Sequence, residues 1–74
     1  MALSESVEMY LETILLLQKK LENVRSIDIV NETGFSKPTI SEQMRRFYDK
    51  GYIHIDNHDY ITLSEIGLEI AEKT

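Results

Sequence analysis

Apolar residues recur near the start of the chain with the spacing of one face of an α-helix. This spacing predicts a helix over about residues 4–21, with Ser4 as its N-cap. Its expected inward-facing residues are Val7, Tyr10, Leu11, Ile14, Leu17 and Leu21. Residues 22–25 break the pattern, so we expect the first helix to end before them.

A second, shorter helix is predicted over about residues 26–33, where Ser26 is suited to cap its start. Ile29 is expected to face inward together with either Val30 or Ile27. The pattern of apolar residues does not decide between these two partners.

A third helix is predicted over about residues 36–50, directly after a short turn. Gly34 suits the left-handed position that ends a helix, and Gly51 is placed to end the third helix in turn. Ser36 with Pro38 forms a strong helix start, because proline in the first turn loses no hydrogen bond. The expected inward-facing residues are Ile40, Met44 and Phe47, with Tyr48 as a further candidate.

Two β-prone runs, Tyr52–Ile55 and Tyr60–Leu63, are separated by the turn formers Asp56-Asn57-His58-Asp59. This arrangement predicts a β-hairpin over about residues 52–63.

A last helix is predicted over about residues 64–73, opened by Ser64 followed by Glu65. Its inward-facing residues are expected to be Leu63, Ile66 and Ile70, while Gly67 would allow a close contact with another element.

The predicted fold is mainly α with a small β-hairpin (α+β), in the order α-α-α-β-β-α, and residues 1–74 form a single domain. Two short helices joined by a glycine-containing turn are typical of a helix-turn-helix. With the hairpin as the wing, this order predicts a winged helix-turn-helix domain.

The net charge of −5 argues against a nucleic-acid partner, because such proteins usually present a basic surface to phosphates. The charge is unevenly distributed. Residues 36–50 contain four basic and two acidic side chains, a surplus of two positive charges that leaves −7 on the rest of the chain. One weakly basic face on an acidic domain would orient it on DNA.

In a helix-turn-helix, the start of the second helix lies nearest the bases in the major groove. Gln43 would pair with adenine, Glu42 would accept a hydrogen bond from cytosine, and Pro38 and Thr39 would contact a thymine methyl group. Arg46 and Lys50 would hold the phosphate backbone. The predicted DNA-binding residues are Ser36, Lys37, Pro38, Thr39, Ser41, Glu42, Gln43, Arg45, Arg46 and Lys50.

Several segments resemble the iron- and manganese-dependent repressors, the family that includes the diphtheria toxin repressor. The resembling segments are Ser6–Ile14, Val24-Arg25, Asp28-Ile29, Ser36–Ser41 and Leu63–Gly67. The resemblance covers nearly the whole chain and implies the N-terminal DNA-binding domain of a transcriptional repressor. It implies that Ser36, Pro38 and Glu42 approach the bases, although the family often has glutamine where Glu42 stands.

Family members carry a second helical domain that completes the metal site and forms the dimer, and the resemblance places metal ligands at Met9 and Glu12. The remaining ligands would come from that further domain, so we expect no metal site or cofactor in this chain alone. A longer family member would be expected to bind manganese or iron.

The predicted wing is acidic because it contains Asp56 and Asp59, whereas a wing that binds phosphates is expected to carry lysine or arginine.

Helix geometry also places apolar residues away from the core, at Met9 and Leu16 in the first helix and at Leu68 in the last. Together they predict contact with a partner, either a second copy in a homodimer or a missing domain.

The sequence has no cysteine, no signal peptide and no apolar run long enough for a membrane span, so we expect a cytoplasmic protein without a membrane partner. It has no catalytic motif, so we expect that the protein is not an enzyme and has no small-molecule substrate. His54 and His58 are interpreted as surface residues, not metal ligands. The expected partner is double-stranded DNA. The alternative is a winged helix used for protein–protein contacts, which an acidic wing would favour.

Overall fold

A computed structural model describes residues 5–72 of the chain, and the side chains of residues 7–72. The elements are α1 (Glu5–Lys20), α2 (Ser26–Thr33), α3 (Lys37–Asp49), β1 (Ile53–Ile55), β2 (Ile61–Leu63) and α4 (Glu65–Glu72). This confirms the mainly α fold and the order α-α-α-β-β-α. Ser4, expected to cap the first helix, lies outside the described residues.

One hydrophobic core joins all the elements. α1 lies across α4 and β2, α2 packs on α3, and α3 packs on β1. The buried apolar side chains are Tyr10, Leu11, Ile14, Leu17, Val24, Ile29, Ile40, Met44, Phe47, Ile53, Ile61 and Ala71. The inward faces predicted for the middle of the first helix and for the third helix are therefore confirmed, and Val7 is half-buried against the core.

The end of the first helix differs from the prediction. α1 ends at Lys20, and Leu21 is 38% exposed instead of buried. Leu21 still donates a main-chain hydrogen bond to Leu17, but its side chain lies where the chain turns away. The core position is filled instead by Val24, in the segment that interrupts the helical pattern.

The second helix begins as predicted at Ser26, but Arg25 and not Ser26 is its N-cap residue. The Asp28 carboxylate accepts a 2.8 Å hydrogen bond from the Arg25 amide. An acidic side chain at the third helical position thus satisfies the cap, which makes a serine hydroxyl unnecessary. Ile29 is buried with Val30 beside it, whereas Ile27 is exposed.

The inward face predicted for the last helix is wrong at Ile66, whereas Leu63 and Ile70 pack against the core as predicted. Ile66 is 52% exposed, and the buried residues of α4 are Gly67 and Ala71, with Ile70 half-buried. A β-carbon on Gly67 would collide with the Tyr52 carbonyl oxygen. Small residues therefore form the contact face because the backbone of α4 approaches its neighbour closely, as Gly67 predicts.

The hairpin forms as predicted, with β1 and β2 antiparallel and Ile53 opposite Leu63. Asp59 adopts a positive φ of 64° in the connecting turn, a conformation that aspartate tolerates better than most residues. Ser64 then fixes the exit from the hairpin. Its hydroxyl donates to the Gly51 carbonyl at 2.6 Å and accepts from the Gly67 amide at 3.1 Å.

Candidate nucleic-acid interface

The turn between α2 and α3 is tight and ends in a capped helix start. Gly34 has a φ of 77°, and its amide donates to the Val30 carbonyl at 2.8 Å. The Ser36 hydroxyl accepts a 3.3 Å hydrogen bond from the Thr39 amide and lies 2.7 Å from the Thr39 hydroxyl. The turn and cap hold the first residues of α3 at the surface in a defined conformation.

The burial of Ile40, Met44 and Phe47 fixes which face of α3 points outward. Tyr48, the further candidate for the inward face, is 52% exposed and belongs to the outer face. The residues predicted to bind DNA that the structure leaves exposed are Ser36, Lys37, Pro38, Thr39, Ser41, Glu42, Arg45, Arg46 and Lys50. Gln43 is half-buried on the flank of the helix, apart from the outer face.

Two opposite charges on this outer face are paired. The Arg46 guanidinium lies 3.7 Å from the Glu42 carboxylate, one helical turn away, and both side chains are largely exposed. The pairing places a cation beside the carboxylate that would otherwise repel phosphates. Within residues 7–72, Lys37, Arg45 and Lys50 form no ion pair, so their charges remain available to an anionic partner.

The hairpin is anchored to the start of α2 by two contacts. The Ile61 amide donates a 2.7 Å hydrogen bond to the Val24 carbonyl. The Arg25 guanidinium lies over the Tyr60 ring, 4.9 Å from its centre. The wing and the helix-turn-helix are therefore held together as one surface.

The tip of the hairpin is acidic and internally hydrogen-bonded. The Asp56 carboxylate accepts from the amides of His58 at 2.8 Å and Tyr60 at 3.0 Å. The hydrogen bond from the Tyr60 amide is the main cause of the lowered pKa of Asp56. A carboxylate that accepts hydrogen bonds from two backbone amides stabilises the turn, in agreement with the turn-forming residues of this segment.

A cleft of about 470 Å³ lies between the start of α2, the side of α3 and the hairpin; we call it the α2–α3 cleft. Three basic side chains, Arg25, Lys37 and Arg45, line it together with the hydroxyl-bearing residues Ser26, Ser41 and Tyr48. Its remaining lining residues are Ile27, Met44, Ile55, Asp59 and Ile61.

Lys37, Ser41 and Arg45 are predicted DNA-binding residues, whereas the sequence pattern did not place Arg25, Ser26 and Tyr48 beside them in this cleft. The signal that points to Arg25 is its place directly before α2, but its approach to α3 depends on the tertiary packing.

The apolar residues predicted to lie off the core are exposed as expected. Met9 is 38% exposed, Leu16 45% and Leu68 36%. Ile66 adds to the exposed apolar residues of α4, and Leu21 lies exposed just beyond the end of α1.

Met9 and Glu12 lie on the exposed side of α1. A thioether and a carboxylate supply only two donors, of different softness, and this is too few for a closed metal site. Among the described residues, no group of three or more His, Cys, Asp or Glu side chains is arranged to hold a metal ion. The residues present do not by themselves fit the iron or manganese site that the resemblance implies.

The two histidines lie on the hairpin, and both are exposed. His58 stacks obliquely beside Tyr60, with ring centres 5.6 Å apart. His54 stands opposite Thr62 in the strand pairing. Both positions agree with their interpretation as surface residues.

Comparison with curated protein sequences gives no match for this chain. In residues 5–72, no helix has the length and apolar composition needed to cross a membrane. Residues 2–61 match the family described as the iron dependent repressor, N-terminal DNA binding domain. This match covers most of the chain, including the helix-turn-helix and most of the hairpin, and the chain therefore belongs to the family of iron-dependent repressor N-terminal DNA-binding domains.

Proposed function

We propose that this domain binds specific DNA sequences for a transcriptional repressor by placing the start of α3 in the major groove. The observation that carries the proposal is the exposed outer face of α3. The buried inner face fixes the orientation of this helix, and Ser36 caps its start. A helix of this kind fits the major groove, where base edges differ in their hydrogen-bonding groups.

The outer face combines side chains for two tasks. Pro38, Thr39 and Glu42 are exposed near the start of the helix, where contact with bases is expected. Arg46 and Lys50 lie farther along and are suited to phosphates. Because Arg46 is close to Glu42, it also lowers the electrostatic cost of bringing that carboxylate to the DNA.

We propose further that two copies bind together, each contacting one half of an inverted repeat. The net charge of −5 makes tight binding by one copy unfavourable, and a second copy doubles the basic contacts to DNA. The exposed Met9, Leu16 and Leu68 are the proposed partner-contact residues. Met9 and Glu12 supply only two donors, so metal control of DNA binding would need further ligands from outside the described residues.

The decisive experiment is selection from a randomised duplex library at low and moderate salt. The native chain is compared with Arg46→Ala/Lys50→Ala. The control is Lys19→Ala/Lys20→Ala, which removes the same charge from the exposed end of α1. Enrichment of one motif, weakened by salt and by the α3 substitutions but less by the control, supports the proposal.

A second candidate function is a winged helix that binds another protein. The exposed apolar residues of α1 and α4, together with the acidic hairpin, favour it. Such a contact would depend weakly on salt and would not require α3. A folded chain that enriches no duplex at either salt concentration would support this second candidate and contradict the first.

A further inference from the structure

We propose that the α2–α3 cleft binds one sugar-phosphate unit. In this proposal Arg25, Lys37 and Arg45 hold the phosphoryl oxygens, while the apolar floor contacts the sugar. The unit has two possible sources, the backbone of bound DNA or a free sugar phosphate. The first source rests on the proposed function, and the second does not.

The charge of the cleft favours an anion. The cleft is lined by three basic side chains and by only one carboxylate, that of Asp59. Among the described side chains, Lys37 and Arg45 form no ion pair. Arg25 is stacked over the Tyr60 ring, and a stacked guanidinium keeps its in-plane N–H groups free to donate to oxygen.

Neutral donors surround the same space. Ser26 is the first residue of α2, and amides in the first turn of a helix have no acceptor within that helix. Such amides favour phosphate oxygens. Ser41, which carries a hydroxyl, lines the cleft from α3 one turn after Lys37. The cleft therefore offers both charged and uncharged donors.

The floor of the cleft distinguishes a sugar phosphate from a bare inorganic ion. Met44, Ile55 and Ile61 form an apolar floor, and the exposed side chains of Ile27 and Tyr48 stand at its sides. A lone phosphate would leave this surface in water, whereas the C–H groups of a pentose would cover it. The volume of about 470 Å³ is in the range of small-ligand sites.

The first arm of the test uses DNA. The duplex enriched by the native chain is titrated at several salt concentrations with the native chain, Arg25→Gln, Tyr48→Ala and the control Lys20→Gln. The slope of log K against log salt is negative, and removing one phosphate contact makes it less steep by about 0.9. We expect this change for Arg25→Gln but not for the control. We expect Tyr48→Ala to weaken binding at an unchanged slope.

The second arm uses no DNA. Thymidine 5′-monophosphate and inorganic phosphate are titrated separately into the native chain, and backbone amide shifts are followed by NMR. If the cleft takes a free sugar phosphate, the amides of Ser26 and Ser41 shift saturably with the nucleotide and less with inorganic phosphate. Arg25→Gln, shown by its melting temperature to be folded, should reduce that shift.

The outcomes separate the two proposals. A reduced slope for Arg25→Gln assigns the cleft to the DNA backbone. Saturable nucleotide binding with no duplex enrichment assigns it to a free sugar phosphate and contradicts the proposed function. If Arg46→Ala weakens duplex binding while Arg25→Gln behaves like Lys20→Gln, and the nucleotide shifts neither amide, the cleft proposal is wrong and the proposed function stands.

Discussion

The Ile61 amide donates a 2.7 Å hydrogen bond to the carbonyl oxygen of Val24, joining β2 to the segment that precedes α2. The Val24 side chain is simultaneously buried in the core, and the neighbouring Arg25 covers the Tyr60 ring. These contacts couple the position of the hairpin to that of the helix-turn-helix. The proposed DNA-binding face of α3 is thus held in a fixed position relative to the hairpin, and this preorganisation would lower the ordering cost of binding.

Gly67→Ala is expected to destabilise the domain. At an open helical site the same change would stabilise the fold by about 1 kcal/mol. Here the new β-carbon would meet the Tyr52 carbonyl oxygen. We expect a net loss of about 1–3 kcal/mol, the usual range for overpacking, in urea denaturation. Glu69→Ala, at an exposed site of the same helix, is the control and should change stability by less than about 0.5 kcal/mol. An unchanged or higher stability for Gly67→Ala would contradict the close packing of α4.

Ser36 is expected to have separable roles in folding and in DNA binding. Ser36→Ala removes the acceptor for the Thr39 amide and should cost about 1 kcal/mol of stability. Ser36→Asp retains a cap of similar strength but adds a negative charge where phosphates are expected. Denaturation and duplex titration of both variants provide the check. Unimpaired duplex binding by a stable Ser36→Asp would remove Ser36 from the interface.

Glu42→Gln is expected to change sequence preference more than stability. The exposed pair with Arg46 is worth about 0.3–0.5 kcal/mol, so unfolding should shift little. Glutamate accepts from the cytosine amino group, whereas glutamine pairs with adenine. Library selection with both chains should therefore replace cytosine by adenine at one position of each half-site. Identical selected motifs would exclude Glu42 as a base-contacting residue.

The stabilisation provided by Asp56 is expected to disappear in acid. Its folded pKa is lowered, chiefly by the hydrogen bond from the Tyr60 amide. The contribution is therefore fully present above the ordinary aspartate pKa of about 3.9 and is lost as the pH falls through the lower folded value. The melting temperature of Asp56→Ala should lie below that of the native chain at pH 7, and the gap should narrow below the folded pKa. A gap independent of pH would contradict the ionised role of Asp56.

Much of the architecture is encoded locally. The apolar spacing of Tyr10, Leu11 and Ile14 predicts a helix whatever it packs against, because the periodicity belongs to the helix itself. Gly34 and the Ser36-Pro38 start likewise predict where α2 ends and α3 begins, since their backbone preferences are intrinsic. The family resemblance carried by these segments is also a property of the sequence, and the family match confirms it.

The tertiary structure decided what depends on neighbours distant in the chain. Ile66 has the apolar character of a core residue, yet it lies exposed because Gly67 lets α4 approach Tyr52 with its small-residue face. Arg25 lies near Lys37 and Arg45 in one cleft because α2 packs on α3 and β2 is hydrogen-bonded to the segment before α2. Periodicity predicts which elements form. The close approach of backbones decides which faces are buried and which side chains meet.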